Sequence, residues 1–149
     1  MHFSKNRKGF TLVEVLLVIV IIAILAGIVI VAINPGRQIS QANNTERNAD
    51  IKAILDGVHE YAIDNRGAFP TGITATATVV GSGTGQIDIC TDLVPTYLAE
   101  MPFDPTATGA DYTDCTSYNT GYTISQSTDG RITVAAPTAE LSETISVTR

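Results

Sequence analysis

Lys8-Gly9-Phe10-Thr11-Leu12-Val13-Glu14 (KGFTLVE) opens directly onto Val15–Ile33 (VLLVIVIIAILAGIVIVAI), and these two stretches decide the fold. The nineteen residues from Val15 to Ile33 contain no charge and no strongly polar side chain. As a helix at ~1.5 Å per residue they cover about 28 Å, close to a bilayer's hydrocarbon thickness of roughly 30 Å. A core helix of a water-soluble protein usually keeps a polar stripe. This one is apolar all round, which predicts a membrane-spanning helix. One carboxylate, Glu14, stands at its mouth. An acid in the middle of a membrane helix costs roughly 2.5 to 3.5 kcal/mol, less near an interface, and such residues generally have a partner.

The leader MHFSKNRKG carries Lys5, Arg7 and Lys8 and no acid, while few basic residues follow Ile33 closely. Positive charge stays on the cytoplasmic side, so the sequence places residues 1–9 inside and the C-terminal part outside a single-pass cytoplasmic membrane protein. A secretory signal peptide has a shorter apolar region and an A-x-A-like cleavage site, which Ala32-Ile33-Asn34 does not supply.

KGFTLVEVLLVIVIIAILA resembles the N-terminal signature of type IV prepilins and the related pseudopilins, with the likeness running from Lys8 to Ile33. The resemblance implies cleavage of the 1–9 leader by a prepilin peptidase between Gly9 and Phe10, N-methylation of Phe10, and retention of residues 10–33 as a transmembrane and filament-core helix. It implies a partner for Glu14 as well: the Phe10 α-amino group of a neighbouring subunit, setting the axial register between helices. A buried ion pair is better evidence for register than for stability. The implied partners are further copies of the chain and other pilins, the peptidase, an assembly platform in the membrane, and the lipid bilayer before assembly.

After Ile33, Asn34-Pro35-Gly36 would bend or interrupt a helix, because proline removes a donor and glycine is flexible. Many family members carry this proline nearer the middle of the apolar segment, so continuity through Pro35 stays open. Helical periodicity returns with Ile51, Ile54, Leu55, Val58 and Ala62 on one face and Asp50, Lys52, Asp56, Glu60 and Asp64 on the other. Residues 34–66 read as an amphipathic helix that Asn65-Arg66-Gly67 ends.

All but two of the threonines lie beyond Pro70, as suits half-exposed strands. Candidate strands are Thr76 to Val80, Gln86 to Ile89, Gly121 to Ser127, Arg131 to Ala135 and Ile145 to Val147. Thr128-Asp129-Gly130 marks a hairpin, and Leu93 to Ala99 a short helix. The fold class is therefore α+β: a long N-terminal helix, membrane-spanning then amphipathic, packed on a small antiparallel sheet in a 67–149 head. Cys90 and Cys115 are the two cysteines, and an even count outside the cytoplasm favours one disulfide over two free thiols or a metal pair.

The formal net charge is −6, and loss of the leader's three cations leaves −9, which argues against a general nucleic-acid surface. No nucleophile motif, carboxylate pair or phosphate loop appears, and His59 reads as a solvated surface residue, so no enzyme activity and no cofactor are expected. The stretch LVPTYLAEMPFDP loosely resembles the region before a calcium loop in major pseudopilins, making Asp104, Asp111 and Asp114 weak calcium candidates, with Asp129 a further loop acid. Asn43-Asn44-Thr45 matches a glycosylation triplet. The sequence thus points to a structural subunit of a type IV pilus-like filament, extracellular once assembled. The alternatives are a periplasmic type II secretion pseudopilin or a membrane-anchored binding domain that never polymerises.

Overall fold

The computed structural model describes residues 9–149; His2 and the leader cations Lys5, Arg7 and Lys8 lie outside the described residues. Helix α1 spans Leu12–Ile33, and none of its residues is buried by the chain's own fold. It stops at Asn34, whose backbone is left-handed at φ 47° and ψ 76°. Helix α2, Pro35–Asp64, starts at the next residue. Proline suits a first helical position because its missing N–H has no helical acceptor there, and Asn34 supplies both a carbonyl (3.1 Å) and a side-chain oxygen (3.4 Å) to the Arg37 N–H. The interruption thus falls on Asn34, with Pro35 and Gly36 forming the first turn of α2. At the other end the Gly67 N–H reaches back to the Ala62 carbonyl at 2.7 Å, with Arg66 and Gly67 both at positive φ, closing α2 in the 6→1 manner of a helix stop.

The unit from Ile39 to Arg149 is built on one antiparallel sheet. Its elements are β1 (Thr78–Gly81), a single helical turn α3 (Cys90–Leu93), β2 (Asp111–Asp114), β3 (Ser117–Gln126), β4 (Ile132–Ala136) and β5 (Ile145–Thr148). The strand order is β1-β3-β4-β5. Asn119 of β3 pairs with Gly81 on one side and Asp111 on the other, and Thr123 pairs with Val79 and Ala135. Strands β2 and β4 therefore share one edge of β3 in succession. Alternation sets the faces: Tyr118, Thr120, Tyr122 and Ile124 of β3 and Ile132, Val134 and Ala136 of β4 are buried, in one core with Ile51, Ile54, Leu55 and Val58 of α2. The predicted apolar stripe of α2 is the helical half of that core. The hairpin read at Thr128-Asp129-Gly130 is present, its turn closed by the Gly130 N–H on the Ser127 carbonyl at 2.9 Å.

Two sequence expectations are corrected, and one strand was not anticipated. Gln86–Ile89 is not a strand: Ile87 makes one isolated parallel bridge to Val80 before the chain turns into α3. The short helix lies at Cys90–Leu93 rather than Leu93–Ala99, because Pro95 forces Val94 into extended backbone (φ −100°, ψ 134°). Strand β2, of sequence DYTD, was hidden by its polarity, which suits a short and mostly exposed strand. A disulfide joins Cys90 and Cys115 with Cα atoms 5.3 Å apart, tying α3 to the β2–β3 connection. Closing this 25-residue separation contributes about 3 to 4 kcal/mol on the loop-entropy scale.

Candidate functional site

Extended backbone at Thr11 (φ −80°, ψ 151°) makes it the N-cap of α1. Its side-chain oxygen accepts from the Glu14 N–H at 3.2 Å, while Glu14 Oε2 accepts from the Thr11 N–H at 2.8 Å and the Thr11 hydroxyl at 2.9 Å. This reciprocal capping box satisfies donors that the first helical turn leaves open. It also fixes where the carboxylate points: back along the helix toward Phe10, with only Oε2 occupied among the described residues. Around it the surface is entirely apolar. Phe10 is 89% exposed, and every large side chain from Leu12 to Ile33 stands outward. The helix has 22 residues and a mean hydropathy of 3.6, long and apolar enough to cross a bilayer. A lone cylinder of this kind buries its surface either in lipid or against other helices.

Residues 4–30 match the family model for the prokaryotic N-terminal methylation motif. The chain is 33% identical over 101 residues to the type II secretion system core protein G of Pseudomonas aeruginosa, covering 68% of this chain and 69% of that one. The chain belongs to the type IV pilin and pseudopilin family. A second core protein G, from Aeromonas hydrophila, is 29% identical over 102 residues, covering 68% of this chain and 69% of that protein. The type IV wide pilus major component PilA4 of Thermus thermophilus is 43% identical over 61 residues, 41% of this chain and 45% of that protein. No solved structure matches the chain significantly. As a family member the chain is a structural filament subunit, with the methylation motif and capping box in its N-terminal sequence and a disulfide-closed α+β head formed by its C-terminal part.

Within this pilin head the structure shows a second polar site, centred on Arg47 of α2, which is fully buried. All five guanidinium donors are used. Nε reaches Asp104 Oδ2 at 2.8 Å, and Nη2 reaches Asp104 Oδ1 at 3.1 Å and Thr106 Oγ1 at 2.5 Å. Nη1 reaches Asn44 Oδ1 and Glu140 Oε2, each at 2.9 Å. Asp104 accepts in addition from the backbone N–H groups of Thr106 and Ala107 and from the Thr138 hydroxyl. Burial pulls the Asp104 carboxyl up, but Arg47, Thr138 and these N–H groups outweigh it and hold it at about 2. Hydrogen bonds from Arg47, Asn43 and Ser40 lower the Glu140 carboxyl as well.

The cluster clamps three segments: α2, the loop that follows Met101, and the β4–β5 connection. Glycine at 121 makes room for it. Its φ is 72°, and a Cβ there would lie 3.1 Å from Ala107 Cβ and 3.2 Å from Asp104 Cβ, so the loop fits into the gap between β2 and β4. Sequence reading passed over Arg47, although a signal existed. Asn44, Arg47 and Ile51 continue the buried stripe at i, i+3 and i+7, and an arginine on a buried face demands a carboxylate.

The three calcium candidates are not brought together. Asp104 is committed to Arg47, Asp111 stands exposed on β2, and Asp114 Oδ1 accepts from the N–H groups of Thr116 (2.7 Å) and Ser117 (3.1 Å). Among the described residues no set of three His, Cys, Asp or Glu side chains could hold a metal ion. Asp129 caps its own hairpin turn through Ser127. The Asn43 amide of the glycosylation triplet donates to Glu140 at 2.8 Å. His59 is not a solvated residue: its Nε2 is buried without a partner, and its ring packs edge-on against Phe69 at 5.5 Å.

Proposed function

We propose that the chain is made as a prepilin, held in the cytoplasmic membrane by α1 with its basic leader inside, cut by a prepilin peptidase between Gly9 and Phe10, and methylated at Phe10. A membrane platform then extracts it into a filament of identical subunits. Its work is assembly and not catalysis. The observation that supports this reading is α1 itself: 22 residues, none buried by the chain's own fold, with one carboxylate held by a capping box at the end where cleavage would create an ammonium. In the precursor the Phe10 nitrogen is a neutral amide. Cleavage turns it into a cation about one turn from Glu14 on its own chain and, in a staggered neighbour, within reach of the free face of that carboxylate. Pairing across chains removes both charges from lipid cost and fixes the offset between helices.

A secretion pseudopilus is the second reading, and one observation favours it. The match to the Pseudomonas protein extends over 101 residues and 69% of that protein, whereas the match to the wide-pilus component extends over 61 residues and 45% of it. In that case the filament is periplasmic. Both readings require the same processing. Intact-mass and peptide analysis of the mature protein is expected to find Phe10, N-methylated, as the first residue. A mature chain that starts at Met1, or beyond Ile33, contradicts it.

A further inference from the structure

One face of α2 carries Ser40, Asn43, Asn44 and Arg47 at i, i+3, i+4 and i+7, and all four side chains bond a single residue of the β4–β5 connection, Glu140. Glu140 Oε1 accepts from the Ser40 hydroxyl at 2.8 Å, and Oε2 accepts from the Asn43 amide at 2.8 Å and from Arg47 at 2.9 Å. The Asn44 side chain pairs with the Glu140 backbone, donating to its carbonyl and accepting from its N–H, each at 2.9 Å. Arg47 is also gripped by Asp104, so its place does not depend on Glu140. The turns before it are different. Among the described residues, the bonds of Ser40 and Asn43 to Glu140 are the only hydrogen bonds or ion pairs that join residues 35–43 to the sheet or its loops.

Those turns have little else to keep them helical. Residues 35–43 read PGRQISQAN, in which Gly36, Ser40 and Asn43 are weak helix formers. A helix this short is marginal in water without tertiary support. None of the nine residues is buried, and the two that are half-buried are Ser40 and Asn43, the pair held by the Glu140 carboxylate. No preceding helix supports the segment either, because α2 starts directly after the left-handed Asn34. Glu140 itself stands at the head of a costly turn: Leu141 and Ser142 both have φ 58°, and the Glu143 N–H closes the turn on the Glu140 carbonyl at 3.1 Å. Such conformations persist where the surroundings over-determine them, and here the bonds to α2 do so.

We infer that Glu140 is a latch, whose hold on Ser40 and Asn43 keeps residues 35–43 helical and whose release turns them into an extensible linker that sets the stiffness of the assembled filament. The nine residues lengthen on release from about 14 Å as helix to as much as roughly 30 Å when extended. The role in filament stiffness rests on the filament reading above; the latch itself does not.

Ser40→Ala combined with Asn43→Ala opens the latch without touching Arg47, Asp104 or Glu140. Alanine is the better helix former at both positions, so helix propensity alone would slow amide exchange in this segment. Hydrogen–deuterium exchange of the full chain in detergent is expected to show the reverse: amides of residues 39–45 exchange on the order of tenfold faster in the variant, while those of residues 51–62 change less than twofold. Equal or slower exchange in residues 39–45, or an equal rise in both segments, would overturn the latch. Filaments of the variant, imaged by electron microscopy from the native host, are expected to have a persistence length at least twofold shorter than those of the unaltered chain. Unchanged stiffness, or no filaments from the variant alone, would overturn its role in the filament. Absence of filaments from the unaltered chain would overturn the filament reading, and the exchange result would still decide the latch.

Discussion

Glu14→Val is expected to abolish filaments while leaving membrane insertion, cleavage after Gly9 and the fold of the head intact. The two possible lives of the chain respond to this substitution in opposite directions. For a solitary anchor, valine removes a costly charge from an apolar segment, so membrane residence is unchanged or improved. In a filament, the same change leaves a neighbour's Phe10 ammonium without a partner inside a bundle of apolar helices, where the loss of one half of a buried pair costs about 3 to 5 kcal/mol. That loss recurs at every subunit. The variant gives up its share of the capping box too, worth about 1 kcal/mol at a helix start, which is too small to release a 22-residue apolar helix from the bilayer. Sheared or periplasmic fractions, quantified at equal expression and processing, decide the matter. Normal yield would mean that Glu14 does not set the register.

Arg47→Met is expected to be the most damaging single change to the head. It leaves the Asp104 carboxylate buried with Thr138 and two backbone N–H groups but no counter-charge, and Glu140 without one of its three side-chain donors. Breaking a buried pair in this way costs about 3 to 5 kcal/mol, a large part of the stability of a small domain. The pH dependence provides a signature that mere loss of packing would not give. Asp104 in the folded head sits at about 2, below its ordinary 3.8. Its contribution to wild-type stability, about 2 kcal/mol, is therefore fully present above roughly pH 4 and is lost as pH falls through about 2. In the variant, protonation of Asp104 removes the uncompensated charge and favours folding. Denaturant unfolding of the full chain in detergent should accordingly show the gap between wild type and variant narrowing from pH 6 to pH 2. A gap that stays constant over this range would assign Arg47 to packing alone. Asp50 works in the opposite sense, since burial pushes its carboxyl up, but it is common to both proteins and cancels in the comparison.

Much of this architecture was legible because local patterns carried it. The run from Val15 to Ile33 needs no partner to be read as a membrane helix. The spacing of Ile51, Ile54, Leu55, Val58 and Ala62 specifies a buried face, all five residues of which are buried in the structure. Thr128-Asp129-Gly130 marks a hairpin whose flanking strands pair from Gln126↔Ile132 to Thr123↔Ala135. What escaped reading depends on residues far apart in the chain. Asp104 and Glu140 lie 57 and 93 residues from Arg47, and no spacing rule joins them. The acids around Asp104 look like a loop suited to a cation, yet in the fold the cation is a guanidinium. Glycine stands at 121 in the middle of β3 for a reason visible only once the loop after Met101 is in place. Strand β2 is polar because it lies at the rim, where pairing of the backbone, rather than burial of side chains, makes it a strand. For His59, a polar residue one turn from Leu55 on a mostly buried helix face, exposure was the wrong expectation.

Whether this chain polymerises is answered most directly by electron microscopy of sheared surface material and periplasmic extract from the native host, with an antibody raised against the head. The expected result is filaments that bind the antibody along their length and yield, on digestion, a subunit starting at methylated Phe10. Antibody signal confined to single copies in the membrane fraction, with no labelled filament in either extract, would contradict the assignment of this chain as a filament subunit.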